Sequence, residues 1–423
     1  MSFDIALSGI QAINTALDVT SHNIANAGTY GYKSNRANFS TLVAGNQLTG
    51  VTVGSTTQSI GLSGGILNTG NTLDASINGR GFFVTKASDN SLQYTRVGIF
   101  KTSTDGYLTD ASGRKVQGKT ITPPSTALGA EGDLKIPNGA IPAQVSTAAS
   151  YLGNLSSDWK VAAAYPGVAT VTPDTPPDSS TYNLTRVTPL YDTLGKQHSL
   201  TQYFSLTAAG TVAVNYTLDG NAIPATTTLN FDTVSGQLIP ADPAVPKTVV
   251  DLGDLSSLDT SDATLWPNFV SGAKMATDVT IDYTGTTFFS GESTTATNTN
   301  LDGYSSGTYA GIELGNDGSV IAKYSNGLKQ SVGKLVLATF ANEGGLTQIN
   351  DTSWIASAES GIANTDVAGT GMNGKLSVST LEQSNVDITS ELVGLMTSQR
   401  NYQANSKVIQ TESTMLQSLM QAI

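Results

Sequence analysis

The chain contains no cysteine, which removes disulfides, thiolate nucleophiles and cysteine-based metal sites together. Histidine is almost as scarce. His22 and His198 are the two in 423 residues; neither has an acidic residue at a ligand spacing, so each reads as a surface or capping residue rather than a metal ligand or base. Charge is thin as well, since Asp, Glu, Lys and Arg make up 13% of the chain against about 25% in a typical soluble protein. Acidic residues outnumber basic ones, giving a net charge of −12. The basic patch that neutralises phosphates is missing, and DNA and RNA are poor partners. No run approaches the roughly 18 apolar residues that would cross a bilayer. Residues 2–28 have no basic leader, continuous apolar stretch or Ala-x-Ala site, so neither membrane insertion nor a cleavable secretory signal is expected. Taken alone those absences favour the cytoplasm, and they leave open export by a route that cleaves no signal.

What is present begins with two helical patterns at the chain ends. Phe3, Leu7, Ile10, Leu17 and Ile24 follow a heptad spacing interrupted by Asn14 and Ser21, which predicts an amphipathic helix that packs on others with modest affinity. At the far end, Ile388, Leu392, Leu395, Tyr402, Ile409, Leu416, Met420 and Ile423 lie on a second heptad seam, diluted by Gln399, Ser406 and Ser413. Asp387 is placed to cap this helix, with Glu391 in its first turn. Gly394 weakens its interior by about 1 kcal/mol relative to Ala. Helices this soft are marginal alone in water, so they are expected to order when many subunits assemble.

The residues between read as β. The apolar content of 39% can bury a sizeable core, and the length suggests two to four domains. Asn78-Gly79 stands between two apolar runs in Leu73–Lys86, and Tyr94–Gly118 alternates strands with Asp-Gly and Ser-Gly turns. Leu184–Leu206 reads as a hairpin around Gly195, and Gly311–Phe340 as a meander turning at Asn316-Asp317-Gly318 and Asn326-Gly327. Breakers at 174–180, 241–247 and 291–307 punctuate the interior, and boundaries near 150 and 302 set a middle domain inside an outer one. Catalytic signals are weak. Gly327–Lys334 has five residues between its glycines and Leu335 where a phosphate loop needs Ser or Thr. Asp317-Gly318 lacks the remaining calcium ligands, and there is no Gly-x-Ser-x-Gly elbow. The tryptophans Trp159, Trp266 and Trp354 are too scattered to line a carbohydrate cleft. No enzyme activity, metal or cofactor is expected.

The terminal segments carry a resemblance. Ser21-His22-Asn23-Ile24-Ala25-Asn26 followed by Gly31-Tyr32-Lys33-Ser34 is similar to the N-terminal signature of the flagellar rod and hook axial family. Ser384-Asn385-Val386-Asp387 with Gln399-Arg400-Asn401-Tyr402 resembles its C-terminal signature. Tyr151–Asp158, Leu190–Phe204 and Gly333–Leu346 are similar to hook segments within that family, and rod members are shorter and lack such a middle domain. The resemblance implies a mostly β multidomain fold with α-helical coiled-coil termini that pair, the outer β domains being nested insertions. Residues 1–28 with 385–423 would form an inner coiled-coil core, disordered in the free subunit, and 29–72 with 365–384 an extended joint. Residues 73–150 with 303–364 would form a β-rich domain, and 151–302 an outer barrel-like domain. Asn23, Asn26, Gly31, Tyr32, Lys33, Arg36, Asn385, Asp387, Gln399, Arg400 and Tyr402 would belong to the family motif and joint, with Lys33 and Arg36 in a polar contact between neighbouring subunits. The implied role is a subunit of a curved, torque-transmitting tube outside the cell. Its partners would be copies of itself, the distal rod, the hook cap, the hook-filament junction proteins and the flagellar type III export apparatus. A distal-rod or junction protein and a secreted glycan-binding β protein are the competing readings.

Overall fold

The computed structural model describes residues 2–44, 47–122, 127–166, 171–240, 248–252, 255, 273–295 and 301–421. The breaker at 241–247, Trp266 and Ile423 lie outside the described residues. The chain forms two compact units, one comprising residues 1–138, 310–323 and 329–423, the other 139–309 and 324–328.

The first unit opens with α1 (Ser2–Ala25), followed by a long antiparallel hairpin of β1 (Asn35–Ala44) and β2 (Gln47–Gln58). Short strands β3 (Ile66–Asn68), β4 (Ala75–Asn78) and β5 (Phe82–Lys86) lead into the main sheet. There the segments before and after the insertion interleave. Lys329–Thr339 pairs with Ser319–Tyr324, with Lys115–Thr120, with β5 and with Asn364–Val367. Beneath lies an aromatic core: the Phe82 ring meets Trp354 edge-on at 5.4 Å and Tyr94 meets Phe340 at 4.8 Å, geometries the ring quadrupoles favour. The unit closes with α2 (Ile388–Gln421). The architecture is therefore mostly β with a helix at either end of the chain.

Several local signals are realised. Phe100–Thr102, Leu108–Asp110 and Lys115–Thr120 are joined through Gly106 and Gly113, whose φ values of 77° and 85° are left-handed and suit glycine. The Gly195 hairpin pairs Leu184–Tyr191 with Gln197–Ala208. Lys329–Thr339, which contains the false phosphate loop, is a strand. Asp317 sits in a turn, where the ammonium of Lys334 and the N–H and hydroxyl of Ser319 hold its pKa down at about 2.

The Asn78-Gly79 step is a correction. The two flanking runs do not form a hairpin: β4 pairs with Lys375–Val378 from the far end of the chain, while β5 pairs with Leu92–Thr95. Gly79 and Gly81, with φ of 112° and 119°, carry the chain from one sheet to another. Long-range burial of Ile77 against the returning chain outweighs the local turn preference.

The second unit is built on a five-stranded antiparallel sheet in which Leu184–Tyr191, Gln197–Ala208, Thr211–Leu218, Asn221–Phe231 and Leu238–Ile239 follow in chain order. Alternate residues, among them Leu200, Phe204, Val212, Val214 and Leu229, point into its core, as the period of two in a strand requires. Two parallel pairings, Ala148–Ser150 with Thr280–Asp282 and Gly153–Ser156 with Thr287–Phe289, bring entering and returning segments together. Buried tyrosines are satisfied in a chain: Tyr283 donates to Gln202 at 2.7 Å and Tyr216 donates to Thr227 at 2.7 Å, with burial pushing the Tyr216 phenol up to about 12.

His198 is a second correction, because it is neither at the surface nor a cap. Its imidazole is fully buried, with Nδ1 2.7 Å from Asp219 and Nε2 3.3 Å from Asp192. The partners come from two neighbouring turns, 6 and 21 residues away in sequence, so no ligand-like spacing reveals them. Burial disfavours the imidazolium, but the two carboxylates outweigh it and the pKa rises above 6.5. Because the folded value is the higher one, the stabilisation is complete below the unfolded pKa of about 6.5 and is lost as pH climbs through the folded value. Thermal unfolding followed across that window is therefore expected to show the second unit losing stability as pH rises, and His198→Gln to flatten the slope.

Candidate functional site

The candidate site is the region where the two ends of the chain meet. α1 and α2 run antiparallel: Asn23 Nδ2 donates to Glu391 at 2.8 Å, and Gly9 lies against the Asn405 amide fourteen residues further along each helix. The face that α1 buries is made of small residues, Ala6, Gly9 and Ala12. Ser8 lies alongside, and its hydroxyl accepts from Val51 N in the hairpin. The heptad residues are left outward. Phe3 and Leu7 are 41% and 40% exposed, and Ile10, Leu17 and Ile24 are half-buried. On α2 no residue is buried; Ile388, Leu392, Tyr402, Leu416 and Met420 are exposed, Leu395 and Ile409 half-buried, and Gln399 and Arg400 exposed. α2 has 34 residues and α1 has 24. At 1.5 Å per residue, α2 is about 15 Å the longer, and at this register its last two turns, with Met415, Leu416, Leu419 and Met420, run past the start of α1.

The ends of both helices are capped as their sequences indicate. Asn26 Nδ2 donates to His22 O at 2.9 Å and Asn26 Oδ1 accepts from Thr29, closing α1. Asp387 accepts from Thr389 N at 3.0 Å and from the Ser390 hydroxyl at 2.7 Å, and these donors hold its carboxyl below the usual range. This satisfies the free N–H groups of a helix start. Asn23 is the buried hub between the helices and the joint. Its carbonyl accepts from Asn35 N at 2.9 Å and from Tyr32 OH at 3.2 Å, and its amide donates to Asn35 O at 2.8 Å as well as to Glu391. Burial raises the Tyr32 pKa.

At the joint the chain leaving α1 crosses the chain entering α2. Gly31 N donates to Glu382 O at 2.8 Å, Ser34 N to Asn385 Oδ1 at 2.7 Å and Gln383 N to Gly65 O at 2.8 Å. Asn385 Nδ2 donates to Ser59 O at 3.0 Å and Leu62 O at 3.1 Å. Lys33, expected between subunits, is instead enclosed within the chain: its ammonium is 2.6 Å from both Leu62 O and Glu382 Oε1. Burial lowers its pKa, with Glu382 opposing that shift. Arg36 is exposed and donates to Asn38. Gln58 joins this crossing to the β core, donating to Lys33 O at 3.1 Å and accepting from Trp354 Nε1 at 2.7 Å.

The sequence reading missed Glu382, Arg96 and Asn35. Glu382 accepts from Lys33 and, at 3.4 Å, from Arg96 Nη1, yet 349 and 286 residues separate these partners. The available signal was a single acidic residue at the end of a short apolar strand, Thr380–Glu382, just before the C-terminal motif. Nothing in this arrangement suggests chemistry. Among the described residues no cluster of His, Asp and Glu could hold a metal ion, and no helix is long and apolar enough to cross a membrane. The geometry is that of a mechanical connection. Its tightest point is Gly64, where a Cβ would overlap the Gln383 carbonyl oxygen. Gly64→Ala is therefore expected to force the crossing strands apart, seen as new protease cleavage near residues 60–66 while the second unit stays resistant.

Comparison with known proteins accounts for these segments in order. Residues 3–33 match the family described as flagella basal body rod protein, and 76–148 that of the flagellar hook protein FlgE/F/G D1 domain. Residues 154–304 match the flagellar basal body protein FlaE D2 domain, and 378–422 the flagellar basal body rod FlgEFG protein C-terminal family. The flagellar hook protein FlgE of Salmonella typhimurium is 35% identical over 99% of this chain and 99% of its own length. That of Escherichia coli is 34% identical with the same coverage, and that of Treponema pallidum 30% identical over 98% and 97%. A crystal structure of Helicobacter pylori flagellar hook protein FlgE2 aligns at a TM-score of 0.49 and 13% identity, covering 73% of this chain and 98% of that one. On the near-complete sequence matches, the chain belongs to the flagellar hook protein family.

Proposed function

We propose that this chain is the structural subunit of the bacterial flagellar hook, polymerising through its terminal helices into a curved tube that transmits motor torque while it bends. The observation that carries this reading is the match to hook proteins along nearly the whole of both chains, including the middle domain at 154–304. The helix pair supports the polymerisation part. Its contact within the chain uses Ala6, Gly9 and Ala12, and it leaves Phe3, Leu7, Leu416, Leu419 and Met420 in water. Apolar side chains in such a continuous array are characteristic of association surfaces, and in a hook the partner is another copy.

A bending tube asks each row of subunits to lengthen and shorten on every revolution. That favours a helical core, connections that are tied within each subunit, and outer β surfaces carrying little apolar patchwork and little charge, so that neighbours slide without locking. On this reading residues 1–28 with 385–423 form the inner core, 29–72 with 365–384 the joint, 73–150 with 303–364 a β domain, and 151–302 the outermost domain. Phe3, Leu7, Ile10, Leu17, Ile24, Ile388, Leu392, Leu395, Tyr402, Ile409, Leu416 and Met420 make the contacts between subunits. The distal rod, hook cap and junction proteins are the neighbours at the two ends of the tube. Export through the flagellar type III apparatus without a cleaved signal suits a cysteine-free chain that must travel unfolded, and no catalysis is involved.

Removing residues 404–423 is expected to leave soluble, folded β units, seen by circular dichroism and cooperative unfolding, that form no tubes under electron microscopy. Tubes assembled by that truncation would defeat the terminal-helix mechanism.

A further inference from the structure

Two buried cations share one buried anion where the chain ends cross. Lys33 Nζ lies 2.6 Å from Glu382 Oε1, Arg96 Nη1 lies 3.4 Å from Oε2, and Gly64 N donates to Oε1 at 3.1 Å. All three side chains are 2% exposed or less. Arg96 has few other partners: Nη1 also donates to Gly79 O at 3.1 Å, Nε has no hydrogen-bond acceptor, and the guanidinium rests on the Phe82 ring. Meanwhile the main chain of Glu382 accepts from Gly31, and its neighbour Gln383 donates to Gly65. One residue thus holds, by side chain and backbone, the segment leaving α1 and the segment approaching α2.

We propose that Glu382 is a positioning residue for assembly: held by Lys33 and Arg96, it fixes the directions in which both terminal helices leave the subunit before any neighbour is added. The ordered part of the free subunit then reaches this crossing, and the helices extend from a set base. Fixing a binding element in its final orientation beforehand reduces the ordering cost at the moment of association. The purpose assigned here rests on the hook-subunit reading; the geometry does not.

The charge count makes the proposal specific. Removing Glu382 leaves two buried cations uncompensated, whereas removing Lys33 leaves a balanced Arg96–Glu382 pair, so the two changes are far from equivalent. A packing role alone would treat Glu382→Gln, which keeps the shape, as the milder change.

The test is hydrogen exchange on the free full-length subunit, read at the amides of Gly31, Ser34, Gly64 and Gln383, in the wild type, Glu382→Gln, Lys33→Met and the double variant. The 200–218 ladder of the second unit serves as the internal control. The wild type is expected to protect these four amides. Glu382→Gln should speed their exchange by about a hundredfold, the order that follows from breaking a buried pair, with the ladder unchanged. Lys33→Met should exchange more slowly than Glu382→Gln, and adding Lys33→Met to Glu382→Gln should restore part of the protection by removing one uncompensated cation. In cells, Glu382→Gln subunits should accumulate unpolymerised in the medium while Lys33→Met subunits assemble. Free exchange in the wild type, equal effects of the two single variants, no recovery in the double variant, or normal assembly by Glu382→Gln would each overturn the proposal. Should Glu382→Gln fail to fold, recovery in the double variant decides the question. The exchange results do not depend on what the subunit assembles into, so a failure of the hook reading would show separately, as hooks that form without this chain.

Discussion

A carboxylate taken out of water between two cations is tolerated only where geometry and hydrogen bonds compensate its lost hydration. Glu382 meets that condition with the Lys33 ammonium, the Arg96 guanidinium and the Gly64 amide. The rest of the first unit depends on this placement. With Glu382 fixed, its carbonyl receives Gly31, Asn385 seats itself on Ser59 and Leu62, and Gln58 passes the connection on to Trp354 in the aromatic core. Charge compensation therefore sets where the first and last tenths of the chain cross, and the helices begin from that point.

Two kinds of contact follow from this division. Inside the subunit, the joint is polar, buried and specific, with asparagines 23 and 385 satisfying main-chain groups on several segments. Between the two helices the contact is small and shallow, since it rests on Ala6, Gly9 and Ala12 and leaves the larger apolar side chains outside. A specific base with an incomplete helical surface is what a subunit needs if its core is to be finished by copies of itself. The Asn23–Glu391 bond sets the register of that surface, as a buried polar pair does in coiled coils.

Much of this was legible in the sequence because it is local. The heptad spacing from Phe3 to Ile24, the cap at Asp387 and the Gly106 and Gly113 turns all arise within a few residues, and the structure realises each. The family motif likewise singled out Asn23, Lys33 and Asn385. What escaped was long-range. Glu382 finds Lys33 across 349 residues and His198 finds Asp219 across 21, and neither spacing has a periodic signature. The Asn78-Gly79 turn was misjudged for the same reason: its flanking strands take partners from distant parts of the chain, and pairing that buries Ile77 prevails over a turn preference. Lys33 looked like a surface contact because lysine is rarely buried; only a partner carboxylate allows it.

The most direct measurement is electron microscopy of basal bodies purified from a strain lacking this gene. A hook subunit's absence should leave structures that end at the rod, with no curved segment, restored by supplying the intact chain. A normal curved hook in that strain would contradict the account and return the chain to a rod or junction role.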